Sequence, residues 1–349
     1  MGERIVIAGM GAATAVGRGA WESATAVRAG ISGFTQHPYM IDTAGEPMRV
    51  ALAPWLDIAL QGVERFEALL MPAVEEALAS LGPPQTAPRR WAIALALPTP
   101  RPGLPEKLPG ELLARINRRW GSLFASAAVF DAGHAAGLLG VHAALAKLRA
   151  GQLDACLVAG VESYLEPETL EWLEESDQLH GAGPLNNAWG FIPGEAGSAI
   201  LLAREEVARA EGLELLGTIL ATGTAFEPKR IKTETVCIGE GLTEAFRTAL
   251  APLPAGLKIS DIYCDMNGEP YRADEFGFTV LRTKEHFESA SDFMAPADCF
   301  GDVSAAGGLL NLSLACAAAN RSYANGPVTM IWASGERGER VAAVIAKQE

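Results

Sequence analysis

No stretch of the chain reaches the roughly eighteen consecutive apolar residues of a membrane helix. The nearest run, residues 304–319, contains Asn311 and Ser313 and reads as a buried helix. Basic excess is missing as well. There are 28 Lys and Arg against 42 Asp and Glu, a formal net charge of −14. So acidic a chain, with no basic block, repels phosphate backbones, which argues against nucleic-acid binding. CxxC spacing is also lacking: the five cysteines (156, 237, 264, 299, 316) are scattered and odd in number. We expect reduced thiols in a cytoplasm rather than a disulfide framework. No His/Cys cluster has metal-ligand spacing, so neither a metal nor a cofactor is expected. The first residues lack the form of a signal peptide, because the apolar run is short and broken by charge. Val6 stands where a myristoylation signal needs Ser or Thr.

What is present points to a large core. The chain has 349 residues, is 49% hydrophobic and has a mean hydropathy of +0.15. That length fits two domains or one large double-layered unit, and it excludes disorder as the main state. Thirty-seven glycines, with many alanines, suggest close-packed helices and tight turns.

Short apolar runs at 5–8, 91–97, 127–130, 155–160 and 198–203 read as buried strands. Gly9-Met-Gly11 reads as a tight turn after the first. Helices are expected over 21–29, over 63–81 with Gly82-Pro-Pro as its stop, and from about 134 to 148. Residues 98–109, with five prolines, read as a loop. The second half repeats this logic, with strands at 216–222, 262–265, 328–332 and 341–346 and helices at 240–251 and 305–319. The alternation indicates α/β layers. One echo is specific: Ala132-Gly-His134-Ala-Ala-Gly-Leu-Leu and Phe300-Gly-Asp302-Val-Ser-Ala-Ala-Gly-Gly-Leu-Leu share a Gly, a polar residue and a helix poor in bulk. It suggests two related halves, 1–205 and 206–349, packed face to face.

Three further segments carry a family resemblance. They are Arg4-Ile-Val-Ile-Ala-Gly-Met-Gly-Ala-Ala-Thr-Ala-Val-Gly17 with Arg28-Ala-Gly-Ile-Ser-Gly33, then Leu148-Arg-Ala-Gly-Gln-Leu-Asp-Ala-Cys-Leu-Val-Ala-Gly-Val-Glu162, then Gly190-Phe-Ile-Pro-Gly-Glu-Ala-Gly-Ser-Ala199. The chain resembles the β-ketoacyl synthases of the thiolase superfamily. The resemblance implies an α/β, five-layer α-β-α-β-α fold from two duplicated halves. It also implies a homodimer, or a heterodimer with a related subunit, and acyl-CoA or an acyl carrier protein as a partner.

Read residue by residue, it implies that the family's chemistry is replaced. The cysteine nucleophile, at the start of a buried central helix, falls on His134. The histidine of a His-Gly-Thr motif falls on Asn267, and that of a Gly-His motif on Asp302. The lysine before the latter falls on Ala297, and the glycine-rich gate falls on Ser334-Gly-Glu-Arg-Gly338. An imidazole could serve as a base or a short-lived nucleophile, but it stores an acyl group poorly. A bare Asp302 would repel a malonyl carboxylate: like charges about 4 Å apart, at an effective dielectric near 20, cost roughly 4 kcal/mol. Asn267 donates a hydrogen bond but shuttles no proton.

The expectation is therefore a non-condensing binding or scaffolding partner, in the manner of chain-length factors. The alternatives are an acyl hydrolase or acyltransferase using His134 and Asp302, or a displaced nucleophile at Cys264 or Cys299. Each residue has a plainer reading. His134 could be a satisfied core group, Asp302 an N-cap, and Asn267-Gly268 a turn. Glu269 and Arg272 could hold a polar ligand, or sit in an exposed loop as a solvated pair. His142 reads as core, and Trp189-Gly-Phe-Ile-Pro as structural.

Overall fold

Apolar runs too short for helices become strands buried on both faces. The computed structural model describes residues 3–81 and 90–348. In chain order the first half runs β1 (Ile5–Thr14), α1 (Ala20–Arg28), the hairpin β2 (Thr35–Ile41) and β3 (Pro47–Val50), α2 (Gly62–Ala77), β4 (Trp91–Ala96), α3 (Leu108–Trp120), β5 (Ser126–Phe130), α4 (Ala136–Arg149), β6 (Ala155–Ser163), α5 (Pro167–Glu175), β7 (Glu195–Arg204) and α6 (Glu205–Ala210). The second half runs β8 (Gly217–Phe226), α7 (Glu240–Leu250), β9 (Asp261–Tyr263), α8 (Pro270–Thr283), α9 (Ala297–Phe300), α10 (Ser304–Asn320), β10 (Val328–Ser334) and β11 (Glu339–Ala346).

Among the described residues, nine strands join in the order β5-β4-β6-β7-β1-β8-β11-β10-β9. The order repeats outward from the centre. On one side β1 and β7 are antiparallel, β7 and β6 antiparallel, and β6 and β4 parallel. On the other, β8 and β11 are antiparallel, β11 and β10 antiparallel, and β10 and β9 parallel. The second side lacks a counterpart of β5. The two sides are continuous, because Ile5, Val6 and Ile7 pair with Ile219, Thr218 and Gly217. Helices α2 and α3 cover one outer face, α7 and α8 the other, and α4 and α10 lie between. This is the five-layer α/β arrangement that the resemblance implies.

Several elements differ from the sequence reading. Gly9 and Gly11 are not in a turn; β1 runs through them to Thr14. A Cβ on Gly11 would lie 2.0 Å from the Ala73 carbonyl oxygen, and one on Gly9 2.1 Å from that of Ala77. These glycines let α2 lie directly on the sheet. Gly223 of β8 does the same for α7, with a Cβ 2.0 Å from the Ala245 oxygen. Helix α2 ends at Ala77 rather than residue 81, and the Gly82-Pro-Pro stop lies outside the described residues. Helix α3 rises from the end of the proline-rich loop, with Pro109 in its first turn, where a missing N–H breaks no helical bond. Glu269 and Arg272, read as sitting in an exposed loop, stand at the N-cap and in the first turn of α8. The hairpin β2–β3 and the helices α5 and α6 were not expected.

One motif segment gains a physical reason. Glu195, at the start of β7, is wholly buried and binds Arg65 of α2 through two contacts of 2.6 and 2.7 Å. It also accepts the Ala53 N–H at 2.8 Å and the Ser163 hydroxyl at 2.9 Å. Truncating a buried ion partner of this kind is strongly destabilising, since it strands the other charge.

The helix-on-sheet contact yields a differential test. Gly11→Ala forces α2 off the sheet and should lower unfolding stability by about 3 kcal/mol or more. Gly110→Ala, in α3 with open space around it, should be neutral or stabilising by about 0.5–1 kcal/mol. Paired denaturant or thermal melts measure both, and equal effects would refute the close-approach explanation.

Candidate functional site

His134 sits in a single helical turn, Gly133–Ala135, that feeds α4, and Asp302 sits two residues before α10. Gly133 has φ +54, and a Cβ there would meet Ser304 Oγ at 3.3 Å. The small residues along α4 and α10 let the helices cross closely. A Cβ on Gly137 would come within 2.9 Å of Leu309, and one on Gly308 within 2.8 Å of Leu138. Their N-terminal turns therefore meet at one point, and the three family positions meet with them.

His134 Nε2 lies 2.8 Å and 3.0 Å from the two Asp302 carboxylate oxygens. Asn267 Nδ2 donates to Asp302 Oδ2 at 2.5 Å and to Glu269 Oε2 at 2.9 Å. The backbone N–H of Ser304 donates to Asp302 Oδ1 at 2.8 Å. Asp302 is thus both a cap-like acceptor at the head of α10 and the partner of His134. Asn267 also makes its turn, since its Oδ1 accepts the Glu269 N–H at 3.1 Å and Gly268 has φ +106.

Arg272 completes the cluster, and its placement corrects the exposed-loop reading. Its side chain is 0% exposed and that of Glu269 4%. Arg272 Nη1 donates to Asp265 Oδ2 at 2.9 Å and to the Ser334 carbonyl at 3.1 Å, and Nε lies 3.3 Å from Glu269 Oε2. Nη2 lies 3.3 Å from His134 Nδ1 and 3.2 Å from Nε2. Nearly equidistant from the two ring nitrogens, the guanidinium lies against the ring rather than in line with either lone pair, while Nε2 faces the Asp302 carboxylate.

Burial alone would raise the Asp302 carboxyl. The His134 charge and hydrogen bond, then Arg272 and Asn267, outweigh it and hold the group well below the usual carboxylate range. The penalty of about 4 kcal/mol set against a malonyl carboxylate assumed an unpaired Asp302, and that condition is not met. Arg272 is raised well above its ordinary value: burial opposes this, and Asp265, Tyr271 and Glu269 prevail.

The walls hold residues that sequence reasoning missed. Arg101, from the proline-rich loop, binds Glu162 at 2.6 Å and the Ser163 carbonyl at 2.8 Å, and lies over the Tyr164 ring at 4.4 Å. A glutamate ending an otherwise apolar strand, as Glu162 ends β6, was the available signal. Lys232 bonds Glu336 at 2.5 Å, Glu269 at 3.2 Å, and Gln178. Gln178 and Glu336 line the space beside His134, together with Thr99, Arg101, Tyr164 and Phe191. That space has room for about one water, and the space on the Asn267 side of the cluster for one or two. A larger hollow of about 200 Å³, beneath the hairpin β2–β3, is lined by other residues.

Cys264 and Cys299 are both buried. Burial pushes the Cys264 thiol far up, and raises Cys299 with help from Asp298. Neither has the electropositive setting that makes a thiolate. His142 is half-buried against Thr222 at 2.8 Å. Trp189 is 70% exposed while Phe191 is buried. Among the described residues no helix is long and apolar enough to cross a membrane.

With this geometry in hand, comparisons with known proteins agree. A family model described as Beta-ketoacyl synthase, N-terminal domain, matches residues 112–208. Polyketide synthase PksL of Bacillus subtilis (strain 168) is 34% identical over 97 residues, 27% of this chain and 2% of that protein. Partially reducing polyketide synthase tpeA of Talaromyces stipitatus is 30% identical over 145 residues, 40% of this chain and 6% of that protein. The matches thus span only a small part of these relatives' length.

Among solved structures, a type II polyketide synthase acyl-carrier protein in complex with its ketosynthase (AntDE:AntF) has TM-score 0.82 at 15% identity, covering 100% of both chains. The ishigamide ketosynthase/chain length factor has TM-score 0.81 at 16% identity, with 100% of both chains covered. The ketosynthase from module 6 of the Bacillus subtilis bacillaene synthase has TM-score 0.79 at 18% identity, over 99% of this chain and 72% of that one. Residues 112–208 are thus similar to the N-terminal domain of the β-ketoacyl synthases, and the chain shares the fold of these ketosynthases.

The depressed Asp302 carboxyl sets a pH window. Its stabilising contribution is complete above its unfolded value of about 3.9 and is lost as pH falls from there toward the folded value. Asp302→Asn should therefore lower unfolding stability by about 3–5 kcal/mol at pH 7. The gap to wild type should narrow below about pH 4. A gap independent of pH, in denaturant melts at pH 7 and pH 3, would show that Asp302 is not ionised in the fold.

Proposed function

We propose that this chain is a non-condensing relative of the β-ketoacyl synthases, a binding or scaffolding subunit that pairs with itself or with a related chain. One observation carries the reading. The imidazole at the expected nucleophile position is engaged by Asp302 and Arg272, and has room beside it for about one water. A condensing site needs a thiolate, a channel for the acyl arm and donors aimed at the developing enolate. Here the donors are engaged by acceptors of the cluster itself, and the space beside His134, lined by Gln178 and Glu336, holds about one water. An acyl-CoA or carrier-borne chain would have to enlarge that space.

The hydrolase alternative has the His134–Asp302 contact in its favour. Against it stands Arg272, whose guanidinium lies against the ring and opposes the imidazolium that a general base must become. A displaced cysteine has little support, given the raised thiols of Cys264 and Cys299. Pairing is supported by β5, an edge strand of Ser-Ala-Ala-Val-Phe in which Ser126 to Val129 are exposed. An exposed apolar edge strand is a ready template for another strand. We place the boundary between the two duplicated halves near residue 205 and the protein in the cytoplasm, where its five free thiols stay reduced.

Incubation with acyl-CoA and malonyl-CoA, followed by mass spectrometry, should give no 3-oxoacyl product; its formation would overturn the reading. Light scattering should show a dimer that Val129→Lys, on β5, converts to a folded monomer. A dimer that survives the substitution removes β5 as the interface.

A further inference from the structure

Outside the His134 cluster, the fold gathers a second set of chemically able side chains. Glu227 follows β8, Cys237 precedes α7 and Glu275 belongs to α8; all three are buried, with ligating atoms within 4.8 Å of one another. Cys237 Sγ lies 3.6 Å from Glu275 Oε1. Zinc holds sulfur at about 2.3 Å and carboxylate oxygen at about 2.0 Å, which puts two tetrahedral ligands about 3.5 Å apart. That pair already has the spacing of two corners of the coordination sphere.

An independent observation points the same way. Glu275 is 0% exposed, yet among the described residues its Oε2 has no hydrogen-bond partner, and neither has Arg340 Nη2. Buried polar atoms are rarely left so. Charge is unmatched too. Glu227 and Glu275 face one guanidinium, that of Arg340, whose Nε lies 2.5 Å from Glu275 Oε1. Among the described residues Glu227 accepts the backbone N–H groups of Lys229 and Gly241, at 3.1 and 2.7 Å. The Lys229 ammonium is turned to Glu240 at 3.5 Å. Two carboxylates against one guanidinium leave one negative charge over; a divalent cation with a thiolate brings the group to neutrality.

We propose that Glu227, Cys237 and Glu275 bind a borderline-soft divalent cation of the zinc class, with Arg340 orienting Glu275 from behind. The sulfur ligand disfavours magnesium and calcium. On binding, the Cys237 S–H bond breaks, the sulfur keeps the electron pair and donates it to the ion, and the proton leaves to solvent. Burial first, then the charges of Glu275 and Glu227, pushes the free thiol up to about 11. The ion itself therefore drives the ionisation. Its position has a structural consequence, because Glu227 and Cys237 bracket the segment that carries Lys232. The ion fastens both ends of the segment whose Lys232 binds Glu336 and Gln178, two residues that line the space beside His134.

The test uses the full chain, stripped by a chelator, with Zn²⁺ or Co²⁺ alone as probe. One equivalent should bind in competition with a chromophoric chelator, and Co²⁺ should give a sulfur-to-cobalt charge-transfer band. Cys237→Ser should weaken binding at least tenfold and abolish the band, while Cys299→Ser leaves both intact. In the wild-type chain, zinc should protect Cys237 alone from alkylation mapped by mass spectrometry, a readout that survives misfolding of the serine variant. No stoichiometric binding, binding indifferent to Cys237→Ser, or protection of other cysteines instead would each overturn the proposal.

Discussion

The close crossing of α4 and α10 is the constraint on which the site depends. Gly137 and Gly308 leave no room for side chains between the helices, and Gly160 of β6 would put a Cβ within 2.8 Å of the Ala305 oxygen. Interiors packed this tightly do not adjust continuously. With the axes fixed, the turns ahead of both helices face each other, and whatever stands at residues 134 and 302 must be mutually compatible. Asp302 with His134 is such a pair; two unpaired charges of like sign would not be.

Once that pair is placed, the rest of the cluster follows from polar satisfaction. A buried carboxylate needs several donors, and it finds His134, Asn267 and the Ser304 N–H. A buried guanidinium needs several acceptors, and Arg272 finds Asp265, Glu269, the Ser334 carbonyl and the His134 ring. Most of the network closes on itself, although Asp265 Oδ1 and the Ser334 hydroxyl are buried with no partner among the described residues. Such networks favour one arrangement strongly, because a partly satisfied version is expensive. This explains how the fold holds a set of mutually bonded polar side chains at the point where its two central helices begin.

Much of this was legible in the residues. The echo between 132–139 and 300–310 located the two helix starts, and the apolar runs located most strands of both halves. Three things escaped. Gly9 and Gly11 gave a turn signal, but glycine also marks close approach of backbones, and only the helix across from them tells the two apart. Arg272 looked solvated because Asp265 and Glu269, close by in sequence, read as a surface ion pair, while the contacts that show its burial, to Ser334 and His134, come from distant elements. Helix α3 was hidden by its own beginning, where Pro109 extends the proline-rich look of the loop into the first turn.

The two ends of the sheet are unlike. At one end β5 presents five residues of open backbone; at the other, β9 is three residues long and is bridged through Tyr263 to Met294. A ribbon with one adhesive margin and one blunt margin can accept a single neighbour. When that neighbour is identical, the union has a two-fold axis and presents no further margin. Among the described residues the second half has no counterpart of β5, so a chain paired through that strand would present no second open margin on which stacking could continue.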